Sequence, residues 1–287
     1  MSQYRAGYVA VIGRPNVGKS TLVNRILKFP LSITTAKPQT TRHRILGIHN
    51  EENLQIIFLD TPGLIDPKYR MQEMMMKAAR GAVQDADVVL FLVEAGDKIS
   101  KRDAESVGIL KNINKPSVLV INKADLLHDK NRILPLIEQY QALNLFEHII
   151  PVSALKGENV DDIKEAVRQY LPYSPPFYPV DMISEHPERF FVSELIREQI
   201  FQYYRDEVPF STAVVIDEFR EQSDRKDYIK ARIVVERQSQ KKIIIGKNGK
   251  AIREMGKRAR KSIEEFLERP VFLECWVSVR EKWRKKD

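Results

Sequence analysis

One cysteine in 287 residues excludes an internal disulfide, as expected of a protein kept in a reducing compartment. Cys275 is expected to be a packed strand residue rather than a nucleophile. Nowhere does the chain stay apolar for the ~20 residues that a bilayer-spanning helix needs. The start, Met1-Ser2-Gln3-Tyr4-Arg5, lacks the apolar core of a secretory signal, so a cytoplasmic protein is expected. Acid is scarcer than base, 39 residues against 47. The shortage is local. From Arg189 onward 24 Lys and Arg face 17 Asp and Glu, while the first 188 residues hold 23 and 22. The last third is therefore basic and the rest nearly neutral. That asymmetry points to nucleic acid or another anionic surface as a partner of the second part. The length suggests two domains, each able to bury its own core.

Gly13-Arg14-Pro15-Asn16-Val17-Gly18-Lys19-Ser20 fits the phosphate-binding loop, two glycines five apart followed by Lys and Ser. The glycines let successive backbone N–H groups turn toward phosphate oxygens. Lys19 supplies a point charge to the terminal phosphates, and the Ser20 hydroxyl suits Mg²⁺. The apolar run 8–12 before the loop reads as a strand. Leu22, Val23, Ile26 and Leu27 after it fall at helical spacing, giving the loop a helix N-terminus that favours anions. By itself this loop leaves ATPases and small-molecule kinases open.

Strand-like runs at 8–12, 43–49, 54–59, 87–93, 117–121 and 148–152 alternate with helical patterns near 19–28, 71–84, 102–112, 131–143 and 160–171. The alternation predicts an α/β domain with a mostly parallel six-stranded sheet and helices on both faces. Only four residues, Asn50 to Asn53, separate the second and third strands. That is too short for a crossover, so they should form an antiparallel edge hairpin. In such sheets ligands lie beyond the carboxyl ends of strands, and chemistry-bearing residues stand there. Asp60-Thr61-Pro62-Gly63-Leu64 follows the third strand, with Asp60 suited to a Mg²⁺ shell and Gly63 N–H to a γ-phosphate. Asn122-Lys123-Ala124-Asp125 follows the fifth. The Asp125 carboxylate can accept two N–H groups from the guanine edge, a pair that adenine lacks. Ser153-Ala154 follows the sixth, placed to bond the base carbonyl through backbone. In the helix near 71–84, Met71, Met74 and Met75 form a stripe for core packing or an adaptable interface.

These motifs, in this order, resemble the guanine-nucleotide-binding domain family. The resemblance implies a Mg²⁺-binding Thr from an aperiodic segment, here Ser32 to His43. Within Gln39-Thr40-Thr41-Arg42-His43, Thr41 is the first candidate and Thr40 the second. It also implies GTP hydrolysis at a low intrinsic rate. Leu64 stands where small signalling GTPases carry a catalytic Gln, and leucine cannot orient water. In relatives with a hydrophobic residue there, the loop Asn, here Asn16, can hold a K⁺ in place of an arginine finger.

The stretch 172–179 carries Pro172, Pro175, Pro176 and Pro179 and reads as a stiff linker. The expected domains are residues 1–172, a linker 173–188, and 189–287. The second part shows a helix at 189–204, strands at 212–219 and 228–236, then Ile243-Ile244-Ile245-Gly246-Lys247-Asn248-Gly249-Lys250. A long helix to about 268 and a strand at 271–279 follow. Between Lys241 and Lys261 nine Lys or Arg accompany a single acid, Glu254. A solvated helix face would alternate signs; this one reads as a polyanion surface. It resembles a KH domain of type II, an α+β fold whose G-x-x-G loop clamps single-stranded RNA. The resemblance gives Gly246, Lys247, Asn248, Gly249, Lys250, Arg253 and Lys257 to RNA, with Ile243, Ile244 and Ile252 as the apolar floor. Trp276 is expected in the core, and Trp283 is left open between base stacking and packing.

End to end the chain resembles the Era family of bacterial ribosome-assembly GTPases. That resemblance implies a GTP-gated switch that binds 16S ribosomal RNA near its 3′ end and acts in 30S subunit assembly. It also implies peripheral association at the cytoplasmic face of the inner membrane; a monomer is expected.

Overall fold

The computed structural model describes residues 4–286. The N-terminal reading of Met1, Ser2 and Gln3 lies outside the described residues, as do the side chains of Lys285 and Lys286. The chain forms two compact units. The first comprises Met1–Ser32, Thr41–Lys68 and Gln72–Glu185; the second comprises Ile33–Thr40, Tyr69–Met71 and His186–Asp287.

In the first unit the elements run β1 (Arg5–Gly13), α1 (Lys19–Leu27), β2 (Ile45–Glu51), β3 (Leu54–Asp60), α2 (Arg70–Asp85, of this unit from Gln72 on) and β4 (Val88–Glu94). They continue with α3 (Lys101–Val107), β5 (Ser117–Asn122), α4 (Leu134–Gln141), β6 (His148–Pro151) and α5 (Val160–Tyr170). The strands form one sheet in the order β2-β3-β1-β4-β5-β6. All pairs are parallel except β2 with β3, the edge hairpin, where Ile48 faces Ile57. From β1 the chain builds outward in both directions, so a ligand crevice opens at the carboxyl end of β1. Residues 9–12 of β1 and 88–93 of β4 are apolar without alternation and fully buried, as strands covered on both faces must be.

Three local expectations change. The helix expected at 102–112 stops at Val107, capped by Gly108, and only a 3-10 turn follows at Leu110–Asn112. The helix expected at 131–143 is a 3-10 turn, Lys130–Ile133, and then α4, with Pro135 in its first turn. Proline fits there because the first-turn N–H groups have no helical partner. On α2 the buried stripe is Met75, Met76, Ala79, Ala82 and Val83; Met74 is exposed.

The proline-rich stretch is a strap on the first unit rather than a free spacer. Phe177 N and Tyr178 N donate to Gln55 Oε1 at 2.8 and 3.0 Å, and Gln55 Nε2 donates to Tyr178 O at 2.9 Å. Gln55 is wholly buried on β3, so its amide must find partners, and the strap supplies them. Further on, Ile48 N donates to Ile183 O at 2.7 Å, which covers the β2 edge.

In the second unit α6 (Glu188–Tyr203) precedes β7 (Ala213–Arg220) and β8 (Asp227–Val235). Then come α7 (Gln238–Ile245), α8 (Lys250–Leu267), β9 (Val271–Val279) and a short α9 (Trp283–Lys286). The sheet order is β7-β8-β9, antiparallel then parallel. Its core joins Val192, Ile196 and Ile200 of α6 to Ile229, Ala231 and Ile233 of β8 and to Met255, Ala259 and Ile263 of α8. Trp276 is not in that core. On β9, Val271 and Val277 point inward, and Trp276, of the opposite parity, lies on the other face. There its Nε1 donates to Asp217 Oδ2 at 2.9 Å. Trp283 Nε1 donates to Ser211 O at 3.2 Å. The segment Ile33–Thr40 caps the end of α6 within this unit. Lys37 Nζ donates to the carbonyls of Phe201 and Tyr204, where a cation complements the helix dipole.

Candidate functional site

The loop between β1 and α1 has the backbone its glycines permit. Gly13 has φ 147° and Gly18 φ 98°, conformations that side-chain-bearing residues avoid. A Cβ on Gly13 would lie 2.3 Å from the Leu92 carbonyl oxygen, and one on Gly18 2.1 Å from Asn122 Nδ2. Asn16 also takes a left-handed conformation, φ 65°, which asparagine tolerates better than most residues. The Lys19 side chain folds back, with Nζ donating to Gly13 O at 3.1 Å and Arg14 O at 3.0 Å. Burial pushes its pKa down to about 8, against the pull of Asp60.

Ser20, Thr41 and Asp60 meet beside it. Ser20 Oγ donates to Asp60 Oδ2 at 2.7 Å and lies 3.0 Å from Thr41 Oγ1. Thr40 does not join them: its carbonyl accepts from Arg197. Burial raises the Asp60 pKa, while the Ser32 and Ser20 hydroxyls and Lys19 oppose the rise. Asp60 Oδ1 is buried and has no hydrogen-bond partner. Two hydroxyls and a carboxylate with an unspent oxygen fit a hard divalent cation. The following turn closes on the loop. Gly63 packs so that a Cβ would meet Pro15 N at 2.6 Å, and Leu64 N donates to Gly13 O at 3.0 Å. Leu64 itself is 8% exposed and belongs to the core.

Asn122, at the end of β5, ties three loops together. Its Nδ2 donates to Val17 O at 2.8 Å and its Oδ1 accepts from Ala154 N at 2.9 Å. That bond occupies the backbone donor expected to face the base carbonyl, so in this structure Ala154 holds Asn122. Lys123 takes φ 64° and its Nζ pairs with Glu94 at 3.1 Å. Asp125 is part-exposed in the 3-10 turn Ala124–Leu126.

Three supporting residues escaped the sequence reading. Asp103, 4% exposed, binds the Arg14 guanidinium through both oxygens and accepts from Ser100 Oγ at 2.6 Å. It thereby anchors the outer turn of the phosphate loop to α3. Arg25 donates to the carbonyls of Ala154 and Leu155, and Asn24 bonds Ser32. The Ser100-x-x-Asp103 spacing signals a helix start, but nothing local announces a partner 89 residues away.

In the second unit the G-x-x-G loop has φ 69° at Gly246 and 73° at Gly249. A Cβ on Gly246 would strike the Ala251 Cβ at 2.6 Å, whereas Gly249 faces open space. Lys247, Asn248, Lys250, Arg253 and Lys257 are exposed. The last three share one face of α8 at helical spacing. Ile243, near the end of α7, is half exposed. Ile244 is a correction: it is fully buried, and its carbonyl accepts from Tyr204 Oη at 2.7 Å. Consecutive residues on α7 point about 100° apart, so Ile243 and Ile244 do not share a face.

Among the described residues no helix is long and apolar enough to cross a membrane. Fold and sites together define a P-loop GTPase domain joined to a KH domain. Residues 8–123 match the family described as 50S ribosome-binding GTPase, and residues 207–284 match the KH domain family. The chain is similar to an Era variant of Aquifex aeolicus bound to GDP·AlF4⁻. The two share 42% identity over 98% of this chain and 96% of that one, with a TM-score of 0.95. It is equally similar to Era in complex with MgGDPNP and nucleotides 1506–1542 of 16S ribosomal RNA: 42% identity, 99% and 96% covered, TM-score 0.95. The chain belongs to the Era family of GTPases.

Proposed function

We propose that the protein is a GTP-hydrolysing switch that binds 16S ribosomal RNA near its 3′ end and serves 30S subunit assembly. The observation that carries this reading is the clustering of Ser20, Thr41 and Asp60 at the phosphate loop in a chain that also presents an open, basic G-x-x-G loop. Residues 1–172 would bind nucleotide and 189–287 RNA. Gly13, Arg14, Pro15, Asn16, Val17, Gly18 and Lys19 cradle the phosphates, with Lys19 Nζ exchanging its two carbonyl partners for phosphate oxygens. Ser20, Thr41 and Asp60 would hold Mg²⁺, which neutralises charge on the phosphates. Asp125 accepts the two guanine-edge N–H groups while Asn122 and Ala154 fix the loops around it. Asn16 would hold K⁺, since Leu64 offers no polar atom to the attacking water. Gln39, Thr40, Thr41, Arg42 and His43, with Asp60 to Leu64, would change arrangement with the γ-phosphate. Gly246, Lys247, Asn248, Gly249, Lys250, Arg253 and Lys257 would clamp RNA backbone, beside the exposed Ile243. Binding RNA preferentially in the GTP state, the protein would act as a cytoplasmic monomer. Its basic second unit would also favour the anionic face of the inner membrane.

Crosslinking of the full chain to total RNA with a non-hydrolysable GTP analogue tests this. Enrichment of the 3′ end of 16S RNA is expected. Gly249→Asp, placed in open space, should abolish that signal and keep guanine-nucleotide affinity. Asp125→Asn should turn base preference from guanine to xanthine. Crosslinks spread evenly over ribosomal RNA would refute the RNA assignment.

A further inference from the structure

Two buried polar atoms go unpaired at one place in the first unit. Ser32, 4% exposed, has no hydrogen-bond partner for its Oγ, and Asp60, wholly buried, has none for Oδ1. The Ser32 hydroxyl is among the groups that oppose the rise of the Asp60 pKa, which places it beside that carboxylate. Leaving a buried hydroxyl unpaired is costly, since it has given up water without gaining a partner. Slack in the chain does not explain the cost, because Ser32 is held firmly. Asn24 Oδ1 accepts from Ser32 N at 3.0 Å, and Asn24 Nδ2 donates to Ser32 O at 2.8 Å. Asn24 stands one turn beyond Ser20 on α1, so a single helix face carries both the Ser20 hydroxyl and the grip on Ser32. Two orphaned atoms beside a bonded cluster of three oxygens call for an occupant that uses them.

We propose that Ser32 is a further residue of the metal centre, its hydroxyl accepting a hydrogen bond from a water on the divalent cation at the Asp60 side. This rests on the reading of Ser20, Thr41 and Asp60 as the Mg²⁺ ligands. A water-mediated role suits a small cation that sheds its waters reluctantly. Outer partners of this kind typically change metal affinity 10–100-fold.

The test is the release rate of a fluorescent GDP from the full chain across Mg²⁺ concentrations, with melting of the metal-free protein measured alongside. In Ser32→Ala the Mg²⁺ concentration that half-slows release should rise about tenfold. Release in excess EDTA should be unchanged, and the metal-free protein should melt no lower than the wild type, having lost an unpaired hydroxyl. An unchanged Mg²⁺ midpoint would overturn the proposal. So would faster release in EDTA, or a lower metal-free melting temperature, since each would make Ser32 a support for the loop alone. Wild-type release indifferent to Mg²⁺ would remove the metal-site reading itself, and this proposal with it.

Discussion

Lys19 carries a charge whose presence depends on pH. It is 6% exposed, and burial holds its pKa down at about 8 despite Asp60. The ordinary value is 10.5, so folding favours the neutral amine. The free-energy cost of charging it in place is present below pH 8 and disappears as pH rises toward 10.5. Phosphate needs the ammonium. Below about pH 8 the ammonium is already there, and GDP affinity measured in EDTA should be flat from pH 7 to about 8. Above that, binding must take up a proton, and affinity should fall toward tenfold per pH unit. Equilibrium titration with a fluorescent GDP checks this. Affinity unchanged at pH 9.5 would mean that the ammonium survives burial, through Asp60 pairing stronger than the desolvation it faces.

Among the elements, the turn Asp60 to Leu64 bears on the proposed activation of water. Gly63 lies on Pro15, Leu64 N is bonded to Gly13 O, and the Leu64 side chain is in the core. Leu64→Gln would therefore bury an amide rather than present it to water. It should cost about 1–3 kcal/mol of stability and leave single-turnover GTP hydrolysis no faster. An arginine finger is worth roughly 10³–10⁵ in rate. If Asn16 holds a K⁺ in that role, replacing K⁺ with Na⁺ should slow hydrolysis by at least about tenfold. Equal rates in the two salts would exclude the cation, and a faster Leu64→Gln would show that the turn opens during turnover.

Elements were legible where their causes are local. The edge hairpin followed from four intervening residues, and the strand expected at 271–279 is β9 over the same residues. The phosphate loop and the G-x-x-G loop followed from glycines whose φ values other residues avoid. Legibility failed where a partner is distant in sequence. Arg14 reads as a loop residue until Asp103 is placed on it, and Gln55 reads as an ordinary strand polar residue until Phe177 and Tyr178 bond it. Ile244 and Trp276 were misplaced for another reason. A triple isoleucine and a tryptophan within a strand are equally apolar on either face, and only the phase of the helix or strand decides which face is buried.

For the whole molecule, charge divides function: a nearly neutral first part for nucleotide and a basic second part for RNA. Phosphate contacts from Lys247, Lys250, Arg253 and Lys257 would make RNA affinity fall with salt, by about 0.7 in log affinity per log salt for each phosphate neutralised on a single strand. If nucleotide state gates RNA binding, the two equilibria are linked. The factor by which a GTP analogue, compared with GDP, tightens RNA must equal the factor by which RNA improves preference for that analogue over GDP. Such couplings typically run from about 5- to 150-fold. Six dissociation constants measured at one salt concentration close the cycle: RNA binding in each nucleotide state, and each nucleotide's binding both without RNA and with RNA saturating. Raising the salt should weaken RNA binding in both nucleotide states. The ratio between states should stay constant if the same basic residues touch RNA in each. A ratio that shrinks with salt would mean that GTP adds phosphate contacts rather than exposing a preformed groove. A ratio of one at every salt would leave a GTPase and an RNA clamp on one chain with no switch between them.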